Sequence, residues 1–507
     1  MKLKKIIDNL SGAIKVEGKV NIEINGIACD SKAVKPGYLF IALKGARVNG
    51  ADFIDEAIDR GANAILLDGD SGAGVFKRGN TFIYVKDARL GLAQVSQVYF
   101  GGISSKMHLV GVTGTNGKTT ITYLMESMLK SKNEGVGVIG TVNYRFGSRS
   151  IPAVNTTPGI LDLYSLLASM QKEKINYCVM EISSHSLEQG RVETLQFDAA
   201  IFTNLTREHL DFHKNMDDYL NAKLKLFAKI KKGGFAIINI DDPVSGKIIE
   251  KVKSEGKANI VTYGIDREAD IGAKDIQFFC NGLKFKLGVS ERVLADFAPI
   301  EIKSNLIGRH NIYNILASIG GGVAIGMNFE DIKKGIESLK GLPGRLESVD
   351  CGQNFSVYVD YAHTEDGLTN VIKSLRELKP ARLVSVFGCG GDRDRTKRPE
   401  MGKISTELSD TVFITSDNPR TEEPMNIINE IIKGIGVKKD NYIIELDRFN
   451  AIKKAVLEAR EGDIVLIAGK GHETYQIFKD TTIPFDDREV VKRILKEAGL
   501  CLQSEIL

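Results

Sequence analysis

The sequence predicts an α/β protein in three domains, with a central domain built on a parallel sheet between a small N-terminal α/β domain and a C-terminal α/β domain. Three observations predict it. The chain has 507 residues, a length that corresponds to about three ordinary domains. From residue 106 onward, short apolar runs alternate with helical stretches, and each run ends in a polar cluster. Finally, Leu342-Pro343-Gly344-Arg345 breaks that alternation and a second series of such runs follows it. The domains are therefore expected at 1–105, 106–340 and 341–507.

In the first unit, Tyr38-Leu39-Phe40-Ile41-Ala42-Leu43 and Ala64-Ile65-Leu66-Leu67 read as strands, with a helix over Ala51 to Arg60 between them. In the second, His108–Val112, Tyr177–Met180, Ala199–Phe202 and Phe235–Ile238 are the candidate strands. Runs that are mostly apolar suit strands buried on both faces of a parallel sheet. They lead into a glycine loop, Glu181-Ile182-Ser183-Ser184-His185, Thr203-Asn204-Leu205-Thr206-Arg207-Glu208-His209, and Asn239-Ile240-Asp241-Asp242. Ligands of open α/β sheets bind beyond the carboxyl ends of the strands, so these clusters are expected to form one site. The third unit repeats the pattern with Phe355–Val359, Leu383–Phe387, Thr411–Ile414 and Ile464–Ile467, each again ending in charged loops. A Rossmann-like second sheet with its own rim is the expectation there, and a substrate could lie between the two rims.

The chemistry starts at Gly111-Val112-Thr113-Gly114-Thr115-Asn116-Gly117-Lys118-Thr119-Thr120, between an apolar run and the helix-like Ile121 to Lys130. Strand, glycine loop, Lys-Thr and helix make a phosphate-binding layout, which gives the central domain its P-loop ATPase-like character. Backbone N–H groups and the helix N-terminus favour phosphate oxygens. Lys118 would reach the terminal phosphates, and the Thr119 hydroxyl would help hold Mg²⁺. The common pattern has glycine where this chain has Val112.

Composition narrows the remaining choices. Hydrophobic residues make up 43% and charged residues 26%, with a net charge of +3. This is an ordinary globular balance, with no bulk electrostatic case for nucleic acid or membrane binding. The 6 cysteines include no CxxC pair, which argues against a disulfide framework or zinc site and fits a reducing cytoplasm. No apolar run is long enough to span a bilayer, and no signal peptide is evident.

Glu181 and His209 stand near the phosphate loop and could hold a divalent cation; read alone they could equally cap a loop and pack. Lys223, in the helical stretch Tyr219 to Phe227, reads on sequence as a surface lysine. In the third unit Arg393, Arg395 and Arg420 accompany Asp417 and Glu473. Guanidinium forks grip carboxylates bidentately, so the set suits a zwitterion such as an amino acid, or else ties loops together by salt bridges. Asp360-Tyr361-Ala362-His363 could contact a nucleotide or relay a proton.

Together these motifs resemble the Mur ligases, ATP-dependent amide-forming enzymes of peptidoglycan precursor synthesis, over essentially the whole chain. The carriers are Gly114-Thr115-Asn116-Gly117-Lys118-Thr119, Asn155-Thr156-Thr157-Pro158, Glu181 to His185, Thr203 to His209, Gly308-Arg309-His310-Asn311, Pro343-Gly344-Arg345 and Asp360 to His363. Asp417-Asn418-Pro419-Arg420 is similar to the motif of members that add meso-diaminopimelate. The related folylpolyglutamate synthases would not be expected to carry it. The resemblance implies that Gly114, Thr115, Asn116, Gly117, Lys118, Thr119, Thr120, Asn311 and Arg345 serve ATP. It assigns Ser31, Asn155, Thr156, Thr157, Ser183, Gln189 and Arg191 to a UDP-N-acetylmuramoyl-dipeptide, and Arg393, Asp417, Asn418, Pro419, Arg420, Gly469 and Glu473 to the amino acid. It further implies Mg²⁺ held by Thr119, Glu181, His209 and Lys223, with Lys223 carrying a CO₂-derived carbamate, and Lys118, Lys223 and His209 as catalytic residues. A cytoplasmic, monomeric ligase working through an acyl phosphate is the expectation.

Overall fold

In a computed structural model, residues 1–45, 48–69, 79–210, 212–437 and 439–500 are described. The apolar runs form strands where the sequence places them, and they assemble into three main sheets. The first has five strands in the order Ala13–Glu17, Thr81–Val85, Ala62–Asp68, Tyr38–Ala42, Gly26–Ala28. All its neighbours are parallel except the first pair. Between the third and fourth of these strands in sequence, Tyr38–Ala42 and Ala62–Asp68, the expected helix divides into a 3-10 turn, Gly50–Phe53, and the α-helix Ile54–Asp59.

The central sheet has eleven strands, and antiparallel strands at its margins extend the expected parallel sheet. Its middle is parallel, with His108–Thr113 between Tyr177–Glu181 and Phe197–Phe202, and Ile230–Asn239 beyond the latter. Both margins are antiparallel: Asn143–Phe146 with Arg149–Pro152 at one, and Ile271–Phe279, Gly282–Val289 and Ile300–Ser304 at the other. Of these marginal strands, Gly282–Val289 and Ile300–Ser304 alternate more buried with more exposed residues, and Arg149–Pro152 is exposed throughout, a weaker sequence signal than a continuous apolar run.

The helix Lys118–Ser131 buries Ile121, Leu124, Met125, Met128 and Leu129, the spacing of one helical face. They pack with Val110 and Val112 of the sheet and with Ile312, Ile315 and Leu316 of the helix Arg309–Ala324. Gly111 lies between Val110 and Val112 in the strand. A Cβ there would approach the Phe197 ring to 3.1 Å, so the opposite face admits only glycine without repacking.

The third sheet runs Glu347–Ser348, Ser356–Asp360, Ile464–Ala468, Leu383–Phe387, Thr411–Ile414, Tyr442–Ile444, parallel after its first pair. A separate hairpin, Tyr475–Phe478 with Thr481–Pro484, touches the Arg420 backbone. Central and C-terminal sheets present their strand ends to each other. Across that junction Asp366 Oδ2 accepts from Asn116 Nδ2 at 2.8 Å and from Thr206 Oγ1 at 3.1 Å. No helix among the described residues is long and apolar enough to cross a membrane.

Candidate functional site

Thr113 ends its strand inside the sheet, and the chain turns through Gly114 and Gly117 into the helix that starts at Lys118. Gly114 has φ +143 and Gly117 φ +89. A Cβ on Gly114 would lie 1.8 Å from Thr203 Oγ1, and one on Gly117 2.3 Å from Asn314 Oδ1. Both positions therefore need glycine for conformation and for space. The next strand end pins the loop: Thr203 Oγ1 donates to Asn116 O at 2.6 Å, and Asn116 N donates to Asn204 Oδ1 at 2.9 Å. Val112 is a fully buried strand residue paired with Glu181 and Ile201, so the cradle begins at Gly114.

Lys118 folds back on its own loop, donating to Gly114 O at 3.0 Å and Thr115 O at 2.7 Å. Burial draws its pKa down, with the Arg345 charge acting the same way and Glu208 and Glu181 opposing. Glu208 itself is held below the usual carboxylate range: burial disfavours its charge, but His209, Lys118, His363 and Lys223 outweigh that.

A cavity of about 630 Å³ joins this loop to the C-terminal domain. It gathers residues 114–120, Thr156, Glu181, Ser183, His209 and Lys223 from the central domain with Arg345, His363 and Asp366 from the other. The Arg345 guanidinium lies 5.1 Å from the Tyr361 ring centre. Asn311 does not line the cavity. It is 3% exposed, bonds Ile307 O through Nδ2, and accepts from Asn314 Nδ2 at 2.9 Å. Asn314, one helical turn on, is the residue that reaches the cavity wall.

Glu181 is 1% exposed and tightly held: Oε1 accepts from Thr119 Oγ1 and Thr141 N, each at 3.0 Å, and Oε2 from Thr141 Oγ1 at 3.0 Å. His209 sits at φ +58, edge-on to His185 with ring centres 4.8 Å apart. Lys223 is no surface lysine. It is 2% exposed on the helix Met216–Leu224, donates to Gly114 O at 2.8 Å, and lies 4.1 Å from the Tyr219 ring centre. Burial, reinforced by the like charge of Lys118 and opposed by Glu208, drives its pKa well below that of a free lysine, so the amine is biased toward its neutral form.

Of the residues expected to meet a UDP-linked substrate, Thr156 and Ser183 line this cavity and the others lie away from it. Arg191 Nη1 donates to Thr157 O at 2.5 Å, and its Nε and Nη2 hold Gln189 Oε1. Gln189 lines a second cavity of about 890 Å³, walled by Leu43, Lys44 and Arg89 of the first domain. Thr157 is buried and braces the Glu181–Ser183 backbone through its hydroxyl. Asn155 is exposed, with its backbone bonded to Tyr144 Oη. Ser31 lines neither of these cavities and donates to Glu56 Oε2 at 2.7 Å.

The third group collects at the strand ends of the C-terminal sheet. Asn418 Nδ2 donates to Glu473 Oε2 at 2.8 Å, and Arg420 Nη1 donates to Gly391 O at 2.7 Å. Asp417 and Pro419 are buried, and Arg393 is exposed with Nη1 donating to Asp392 O. Gly469, at φ +114, leaves room for Asp417, whose Oδ2 would be 3.0 Å from a Cβ there. Arg395 turns away to pair with Glu430. Sequence reasoning gave no role to Asp366, Asn314 or Lys470. Asn314 had a signal, one turn beyond Asn311; Asp366 and Lys470 had none apart from the motifs around them.

Models of known families match three stretches of the chain: the Mur ligase family catalytic domain over residues 23–98, the Mur ligase middle domain over 112–322, and the Mur ligase glutamate ligase domain over 344–471. A relative from Clostridium tetani, named UDP-N-acetylmuramoyl-L-alanyl-D-glutamate--2,6-diaminopimelate ligase, is 44% identical over 502 residues, covering 98% of this chain and 100% of the relative. A solved structure of a ligase of that name superposes with a TM-score of 0.72 at 30% identity, covering 98% and 99% of the two chains. The MurF ligase from Thermotoga maritima in complex with ADP superposes at 0.62 with 21% identity, covering 93% and 97%, a likeness of fold.

Proposed function

The chain belongs to the Mur ligase family, and on that premise we propose that it is the ATP-dependent ligase that adds meso-diaminopimelate to UDP-N-acetylmuramoyl-L-alanyl-D-glutamate in peptidoglycan precursor synthesis. The observation that carries the reading is the phosphate loop opening into one cavity with the C-terminal domain, whose adjacent strand ends carry Arg420.

In the reaction, a terminal carboxylate oxygen of the dipeptide bonds to the γ-phosphorus of ATP, and the bond from that phosphorus to the β,γ-bridging oxygen breaks. The products are an acyl phosphate and ADP. The amine of diaminopimelate then attacks the acyl carbon, the bond to the phosphate oxygen breaks, and an amide, inorganic phosphate and a proton result. Loop N–H groups from Gly114 to Thr120 and the Lys118 ammonium bind and orient the phosphates. To do so Lys118 must exchange its loop carbonyls for phosphate oxygens. Asn314, and Asn311 behind it, hold the far wall, with Arg345 across the cavity. Most of the rate would come from positioning and from charge stabilisation in a site shielded from water.

Thr119, Glu181, His209 and Lys223 are the residues we assign to Mg²⁺. The donor set fits: one fixed carboxylate and a hydroxyl beside the phosphate loop suit an ion that is commonly held by few protein ligands together with substrate phosphates. The ion supplies charge neutralisation at the phosphate oxygens. Carbamylation of Lys223 is supported by its burial and depressed pKa, because the reaction with CO₂ needs the neutral amine, forms an N–C bond and releases a proton. It converts a buried neutral amine beside Lys118 into an anion.

Gln189, Arg191, Thr156, Thr157 and Ser183, with Ser31 and Asn155, are assigned to the UDP-linked substrate, and Arg393, Asp417, Asn418, Pro419, Arg420, Gly469 and Glu473 to diaminopimelate. Arg420 answers the distal carboxylate, which lysine lacks, and Glu473 the distal ammonium. ATP and UDP-linked precursors are metabolites of the cytoplasm, where this reading locates a monomeric enzyme. The test is phosphate release from ATP, assayed with and without the UDP-linked dipeptide and meso-diaminopimelate. Release that needs both is expected; ATP turnover indifferent to both overturns the proposal.

A further inference from the structure

Lys470 is 0% exposed and lies inside the loop that carries Gly469 and Glu473. Its Nζ sits 3.1 Å from Glu473 Oε2, 3.4 Å from Asn418 Oδ1 and 3.8 Å from Asp417 Oδ1. Among the described residues Asp417 Oδ1 has no hydrogen-bond partner, and the Lys470 ammonium lies within reach of its charge. Burial raises the Asp417 pKa, with Arg448 and Lys470 opposing. Arg448, the other buried cation beside it, is already committed to Asp487 through two hydrogen bonds at 2.8 and 2.7 Å. The charge balance around Glu473 and Asp417 therefore includes a resident buried cation, Lys470.

That balance bears on which amino acid enters. Diaminopimelate carries two ammonium and two carboxylate groups and is neutral overall, whereas lysine has lost one carboxylate and is a net cation. Glu473, the carboxylate assigned to the distal ammonium, already has Lys470 at 3.1 Å. An incoming ammonium has to share that carboxylate with a resident one. For diaminopimelate the distal carboxylate at Arg420 compensates; for lysine nothing does.

We propose that Lys470 is a specificity-determining residue, a built-in counter-cation that keeps the amino-acid pocket from accepting net-cationic diamines such as lysine. Discrimination then has two parts, attraction of the distal carboxylate by Arg420 and repulsion of uncompensated charge by Lys470. The proposal rests on assigning these loops to diaminopimelate.

The experiment measures kcat/KM for meso-diaminopimelate and for L-lysine, with ATP and the UDP-linked dipeptide saturating, in the wild type, Lys470→Met, Lys470→Gln and Arg420→Ala. Both Lys470 variants should lower the diaminopimelate-to-lysine ratio by about tenfold or more, mainly through a lower KM for lysine. A purely structural ion pair would depress both substrates alike, and a ratio within about twofold of wild type overturns the proposal. Arg420→Ala separates the two levels. If it leaves the diaminopimelate KM unchanged, the site assignment falls and this proposal with it; if it raises that KM while the Lys470 ratios stay put, only this proposal fails. A wild-type measurement covers variants that do not fold: norleucine, which lacks the distal ammonium, should inhibit at least as well as lysine. Lysine inhibiting about tenfold more tightly overturns the proposal.

Discussion

Gly114→Ala puts the phosphate loop to a quantitative test. At φ +143 an L-residue is strained by roughly 1–3 kcal/mol. The new Cβ, 1.8 Å from Thr203 Oγ1 and 3.0 Å from Asn204 N, forces the loop off the strand end or displaces Thr203. Either movement breaks the hydrogen bond from Thr203 to Asn116 O at 2.6 Å, worth roughly 0.5–1.5 kcal/mol net. The carbonyl of Gly114 itself anchors Lys118 and Lys223, so both amines move with it. A total of about 2–4 kcal/mol, if expressed in the transition state, lowers kcat/KM for ATP by roughly 30- to 1000-fold. Phosphate release under saturating co-substrates measures it, with calorimetric ADP binding and thermal unfolding alongside. Gly233→Ala is the control: φ is +81 there, but nothing lies within 4 Å of the added Cβ. That variant should lose about 1–2 kcal/mol of stability and leave turnover within about twofold. Retention of kcat/KM within about threefold in Gly114→Ala, or an equal loss in Gly233→Ala, would refute the reasoning.

Lys118→Ala should abolish ATP-dependent ligation while leaving thermal unfolding near wild type, since its hydrogen bonds go to carbonyls of its own loop; near-normal turnover would remove it from the phosphate site. Lys223→Ala should lose about a hundredfold or more in kcat and regain part of it with added acetate or formate, which can fill the space of a carbamate; an active, acetate-indifferent variant would exclude the carbamate. Asp366→Ala, which removes the acceptor for Asn116 and Thr206 across the domain junction, should raise the KM for ATP more than it lowers kcat, as followed by initial rates; unchanged KM and kcat would show that the contact is incidental.

Short-range chemistry was legible in the sequence. Buried strands reveal themselves as apolar runs, as at His108–Thr113 and Ile464–Ala468, because both faces of each must leave water. The turn at Gly114 and Gly117 is legible because only glycine tolerates its backbone and its neighbours. The antiparallel margins of the central sheet were harder to see because a strand covered on one side only half commits its composition. What the tertiary structure alone decided is who faces whom. Lys223 lies on a short helix whose polar composition suggests solvent, and it is buried only because that helix packs its lysine against the Gly114 carbonyl. Asn311 looks like a cavity residue but stands one turn behind Asn314. Lys470 acquires its neighbours from Asn418, about fifty residues away in sequence, and Asp366 meets Asn116 across 250 positions. Periodicity and turn chemistry are set by residues adjacent in the chain, whereas burial, ionisation and charge pairing depend on which distant surfaces the fold brings together.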